Sequence, residues 1–212
     1  ELSHGYCSYK LGDPTAKNAG RLTLNPVKHL DILGTIMILI SGFGWAKPVP
    51  INPMYYNDRK RGTMLVSLAG PLSNIFIALL FSFPMAFIGS KYAMLSFVDI
   101  FNTSNSIFYR GFSFLGILFN LSRFFYIINI NLAVFNILPV PPLDGSKILS
   151  GILPQNKYFA LMQYENIIGV IFLIIMFAFP DILSKIMYPF SWIIQTAIRY
   201  ISVPVLKLIA SI

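Results

Sequence analysis

The run GTMLVSLAGPLSNIFIALLFSFPMAFIGS, residues 62–90, lies between Arg61 and Lys91 and contains no Asp, Glu, Lys or Arg. A hydrocarbon core about 30 Å thick is crossed by about 20 mostly apolar residues in a helix, so this stretch is long enough to span one. It also fixes the solvent, because a helix without charge on any face has no side to turn to water. A second uncharged run separates Arg123 from Asp144. Over all 212 residues, 56% are hydrophobic and only 11% charged, whereas soluble domains carry roughly 25% charged residues. A water-facing surface cannot be built from that composition.

Working outward from residues 62–90, the hydropathy predicts spans at about 64–89, 113–138 and 160–180. A weaker fourth covers about 186–208, interrupted by Pro189, Arg199 and Pro204. Residues 1–9 are compatible with a helix end. Residues 10–30 hold Gly12, Asp13-Pro14, Gly20 and Asn25-Pro26, which are turn signals. From Ile32 to Ala46 runs an apolar stretch containing Gly34, Gly42 and Gly44. It is short for a span, and it predicts a re-entrant hairpin near residues 32–50, tolerated in a membrane where protein buries its backbone. Residues 47–61 form an irregular loop ending in Arg59, Lys60 and Arg61, residues 90–112 a polar linker, and Pro139–Gly145 a helix break. The fold class is therefore an all-α integral membrane protein, a polytopic helix bundle with a re-entrant segment, read as a single membrane-embedded domain over 1–212.

The net charge is +8. Ten of the sixteen basic residues fall in three loops: Lys10, Lys17, Arg21 and Lys28; Lys47, Arg59, Lys60 and Arg61; Lys147 and Lys157. Such asymmetry follows the positive-inside bias and puts these loops on the cytoplasmic side. It reads as a surface toward a lipid bilayer, with no nucleic-acid partner. Counting from the second loop, the first span exits and the second returns, so the break before Asp144 is also cytoplasmic. A single cysteine, Cys7, excludes an internal disulfide.

The chain opens Glu1-Leu2-Ser3-His4. A His immediately before Glu1 would complete His-Glu-x-x-His, whose two imidazoles share one helix face and bind zinc while the Glu takes a proton from water. By itself Glu-x-x-His is weak, and a helix end with a surface carboxylate and a capping histidine is the better account of it. Asp144 adds weight. A carboxylate at membrane depth costs on the order of 2.5–3.5 kcal/mol and is usually functional or paired. A divalent cation would compensate that cost; the plainer alternative is an N-terminal cap for the helix that follows.

Four ordered motifs carry a resemblance. Glu1-Leu-Ser-His-Gly-Tyr, with Lys10-Leu-Gly-Asp-Pro-Thr-Ala and Gly20-Arg-Leu-Thr-Leu-Asn-Pro behind it, is similar to the segment around the second zinc histidine of short bacterial site-2 proteases. Gly42-Phe-Gly-Trp-Ala-Lys-Pro-Val-Pro-Ile-Asn-Pro53 resembles their re-entrant hairpin, Ala69-Gly-Pro-Leu-Ser-Asn74 their Gly-Pro-x-x-Asn segment, and Asn136 to Gly145 their Asn-x-x-Pro-x-x-Pro-x-Asp-Gly motif. The likeness covers about residues 1–180. It implies an intramembrane zinc endopeptidase in the cell membrane, acting on a transmembrane protein substrate from the cytoplasmic side. Glu1 would be the general base and acid, His4 and Asp144 ligands of Zn²⁺, and Asn136 a hydrogen-bond donor near the scissile carbonyl. The segment Gly42–Val49 would offer a strand edge to an unwound substrate helix. The third protein ligand is expected in a His preceding Glu1, with a further span ahead of it.

Two other readings stand beside this one. A catalytically inactive relative would bind membrane proteins without cutting them, and a small transporter would use Asp144 and Asn136 as a cation or proton site. His29 follows a long loop and reads as a loop hydrogen bond before a replacement ligand. Gly70, Pro71 and Asn74 read as close helix contacts, and Cys7 as packing. Substrate identity and oligomeric state are not legible at this level.

Overall fold

The computed structural model describes residues 1–41, 44–91, 100–101 and 113–210. Among them the regular structure is helical: α1 (Leu2–Lys10), α2 (Thr15–Asn18), α3 (Ile32–Ser41), α4 (Arg59–Lys91), α5 (Phe114–Ile137), α6 (Asp144–Ile152), α7 (Gln155–Met162), α8 (Glu165–Ala178) and α9 (Pro180–Ala210). Two of these, α4 and α5, are long and apolar enough to cross a membrane. The bent pair Asn156–Met162 and Glu165–Ala178 makes a third if counted as one span. The protein is an all-α membrane protein.

The expected fourth span differs. Helix α9 is 31 residues long and runs without interruption through Pro189 and Pro204, yet it is not among the helices apolar enough to cross. Asp181, Lys185, Arg199 and Lys207 dilute its apolar residues. A proline deletes one backbone donor but does not oblige the chain to leave the helix. The same holds in α4, which contains Pro71 and Pro84.

The chain forms two compact units. One comprises Glu1–Gly70 and Ile137–Gly169, the other Pro71–Asn136 and Val170–Ile212. In the second unit Met85, Phe119, Tyr126, Ile130 and Val134 from α4 and α5 pack with Ile198 and Leu206 from α9. Ser82 and Ser202 hydrogen-bond at 2.6 Å inside that core. Arg123 is fully buried there and donates to the Ile100 carbonyl, so the charge inside a span faces protein rather than lipid.

In the first unit, α3 bears out the re-entrant expectation. Ten helical residues rise about 15 Å, half of a hydrocarbon core, and Leu30 then pairs with Ala46 in an antiparallel bridge. The two ends of the segment thus lie side by side. Ile32 and Leu39 on α3 are 79% and 83% exposed, a surface for lipid to cover. Gly42 and Phe43, within the expected re-entrant segment, and most of the 90–112 linker lie outside the described residues.

Candidate metal centre

Helix α1 brings His4 to the N-terminal part of α4. The Nδ1 of His4 stands 2.8 Å from the Val66 carbonyl oxygen. A carbonyl only accepts, so Nδ1 carries the proton and donates, which leaves the Nε2 lone pair pointing away. Nε2 lies 3.2 Å from Oδ2 of Asp144, with the two side chains 13% and 17% exposed. Their sequence separation is bridged by the fold of the first unit alone.

Asp144 is carried there by the proline-rich break. Helix α5 ends at Ile137, and the chain turns through Val140 N–H to the Leu138 carbonyl and Leu143 N–H to the Val140 carbonyl, at 2.8 and 2.9 Å. The Pro141–Pro142 peptide is cis. Asp144 then opens α6, where a carboxylate is favoured by the helix dipole. Gly145 makes the approach possible: a Cβ at that position would overlap the Ile137 and Leu138 carbonyl oxygens.

The donor set fits a divalent cation. With Nδ1 committed to the Val66 carbonyl, Nε2 is the ring atom that faces a carboxylate oxygen, an arrangement that calls for a proton or a cation between them. Donors about 2.0–2.1 Å from a tetrahedral zinc stand about 3.3 Å apart, close to the 3.2 Å observed. Space is kept for such an ion by Gly70 of α4. A Cβ on Gly70 would overlap Nε2 and Cε1 of His4 and come within 3.3 Å of Asp144 Oδ2. Among the described residues no group of three His, Cys, Asp or Glu side chains converges on one point; the pair that approaches is His4 and Asp144, two side chains that could each serve as a ligand.

The other expected site residues fall as follows. Glu1, the N-cap of α1, is exposed, and its Oε2 accepts from the Val49 N–H at 3.0 Å. Asn136 is half-buried near the end of α5 and belongs to the second unit. His29 uses Nε2–H to donate to the Thr23 carbonyl at 2.8 Å, the loop hydrogen bond its position suggested. Sequence reasoning passed over the Val66 carbonyl, the Val49 amide and the place of Gly70. Backbone groups leave no signature in side-chain identity, and the Gly-Pro pair was visible as part of a family motif and as a helix contact, neither of which shows what its missing Cβ admits.

A family model described as Peptidase family M50 matches residues 5–179. That range includes Asn136 and Asp144 and begins one residue after His4. Three relatives share the printed description "Putative zinc metalloprotease". YwhC of Bacillus subtilis is 39% identical over 178 residues, 82% of this chain and 73% of that protein. Rip2 of Mycolicibacterium smegmatis is 29% identical over 82% of this chain and 61% of its own. MJ0611 of Methanocaldococcus jannaschii is 33% identical over 56% of this chain and 49% of its own. The chain thus spans less than two thirds of the latter two relatives. No solved structure matches it.

Proposed function

The chain belongs to peptidase family M50, and from that premise we propose that it is a zinc-dependent endopeptidase which hydrolyses a peptide bond of a transmembrane substrate near the cytoplasmic face of the cell membrane. The observation that carries this reading is the approach of His4 Nε2 to Asp144 Oδ2 at 3.2 Å, made inside one compact unit and kept clear by Gly70.

His4 and Asp144 would hold zinc, which would supply Lewis-acid polarisation of a carbonyl and lower the pKa of water to about 7. The chain's own groups do the rest. Val66 fixes the His4 tautomer, so that Nε2 is the ligating atom. Glu1 takes a proton from the attacking water as the oxygen–carbon bond forms. It returns that proton to the amide nitrogen as the carbon–nitrogen bond breaks, giving a carboxylic acid and an amine with Glu1 unchanged; the second water proton then passes from the acid to the amine, leaving a carboxylate and an ammonium. The resemblance of its motif alone gives Asn136 the role of oxyanion donor, and Asn136→Ala tests it.

A substrate helix hides its peptide bonds within its own hydrogen-bond ladder and must unwind before water can attack. The hairpin after α3 supports a route for that, because an extended segment pairs with an unwound chain by strand addition. The basic loops support a cytoplasmic site through the positive-inside bias.

The reading is tested by Glu1→Gln in the intact protein, reconstituted with a transmembrane substrate and with zinc content measured. Cleavage should fall by about 10²–10⁴-fold while zinc stays bound. Unchanged cleavage would remove Glu1 as the base. No cleavage by the parent protein, with zinc bound and several substrates offered, would favour an inactive membrane-protein binder.

A further inference from the structure

The segment that follows the hairpin is committed, atom by atom, to the body of the first unit. Lys47 N–H donates to the His29 carbonyl at 2.9 Å. The Arg21 guanidinium reaches the two carbonyls that follow, Nη2 to Lys47 at 2.7 Å and Nη1 to Pro48 at 3.1 Å. Val49 N–H donates to Glu1 Oε2 at 3.0 Å. Three residues on, Asn52 N–H donates to Asp13 Oδ2 at 2.8 Å. Arg21 and Val49 are each only 7% exposed. A buried guanidinium thus holds two successive carbonyls directly ahead of the amide that meets the base.

We propose that the Val49 N–H, held in place by Arg21, is the positioning group for the Glu1 carboxylate. This rests on the reading of Glu1 as general base. Glu1 is exposed, and a free glutamate samples several rotamers. A backbone donor on one oxygen makes a charge-assisted bond, limits that sampling and leaves the second oxygen for the proton in transit. Catalysis gains from such pre-organisation because a displacement of about 1 Å costs on the order of 10²-fold in rate. The donor is a backbone group, so its placement depends on what holds the chain. Arg21 does this with a fork that a lysine cannot reproduce.

The test deletes the donor alone. Val49→Pro removes the N–H at a position already between Pro48 and Pro50, where extended backbone is imposed by the following proline. In the intact zinc-loaded protein, kcat should fall about 10–100-fold with KM within about twofold and zinc retention against a chelator unchanged. Val49→Ala, which restores the N–H, should recover at least about fivefold over Val49→Pro. Glu1→Gln is run alongside. If Glu1→Gln retains activity, the base assignment itself fails. If Glu1→Gln is inactive but Val49→Pro keeps the parental kcat, or Val49→Ala loses as much as Val49→Pro, the positioning role alone is overturned. Should Val49→Pro not fold, Arg21→Lys decides. A kcat loss at constant KM and zinc retention supports the role, whereas a parental kcat or a loss tracking zinc release overturns it.

Discussion

At Gly70 a single missing side chain keeps His4 and Asp144 usable. A Cβ there would meet the imidazole edge that faces Asp144, and relief requires the histidine to swing off the Val66 carbonyl or α1 to back away. Overpacking of this kind costs about 1–3 kcal/mol, which as metal affinity is about 5–150-fold. Gly70→Ala should therefore release zinc to a chelator at correspondingly lower concentration, with the helix content by circular dichroism unchanged. Parental zinc retention would show that the site has room to spare. The pairing of His4 with Asp144 was legible through the resemblance of four ordered motifs, since Glu-x-x-His alone is weak and Asp144 alone reads equally as a helix cap. Gly70 was not legible. Glycine records the absence of an atom, and only the folded neighbours say what that absence admits.

Among the elements, α1 owes its seat to a carboxylate that does no chemistry. Asp13 is fully buried and accepts from Thr15 N–H at 2.9 Å and from the Thr15 hydroxyl on Oδ1. On Oδ2 it accepts from Ser8 at 2.7 Å and Asn52 N–H at 2.8 Å. Ser8 also meets the Tyr56 hydroxyl at 2.6 Å. Burial by itself raises this carboxyl's pKa, but the donors from Asn52, Thr15 and Ser8 outweigh it and hold it below the ordinary value. A depressed folded pKa gives stability that is present above the unfolded pKa of about 4 and is lost as the pH falls through the folded one. Asp13→Ala leaves buried donors without an acceptor at about 1–3 kcal/mol each. It should lower the thermal midpoint at pH 7 and abolish the acid-dependent part of the midpoint below about pH 4. An unchanged midpoint would mean that α1 is held elsewhere. The sequence marked Asp13-Pro14 as a turn signal; the turn falls just before it, at Leu11–Gly12, and Pro14 is the N-cap of α2, but turn chemistry does not reveal a bond to Asn52. Helix α9 shows the converse. Its two prolines suggested interruption, and the backbone continues because losing one donor is a smaller matter than losing the helix.

For the whole molecule, the charge pattern makes an orientation claim. Arg59, Lys60 and Arg61 stand at the start of the 33-residue helix α4, where basic residues oppose the helix dipole and so have a reason other than local helix stability. Lys60 is tied to the Leu153 carbonyl at 3.0 Å, whereas Arg59 is exposed. A membrane-impermeant thiol reagent should label Arg59→Cys, in a Cys7→Ser background, in inside-out vesicles and not in intact cells. Labelling in intact cells would reverse the proposed sidedness. Composition made this scale the most readable, because 11% charge leaves few places for polar loops. The number of crossings was harder, since α9 is long without being apolar enough. The two prolines around Val49 carry a last implication. Across residues 48–50 the main chain owns one proton to share instead of three, and Glu1 already has it. The Lys47 N–H is likewise taken, by the His29 carbonyl, so an incoming chain that zipped along the hairpin would find no open donor from Lys47 to Pro50, and its register would end next to the carboxylate proposed to act on it.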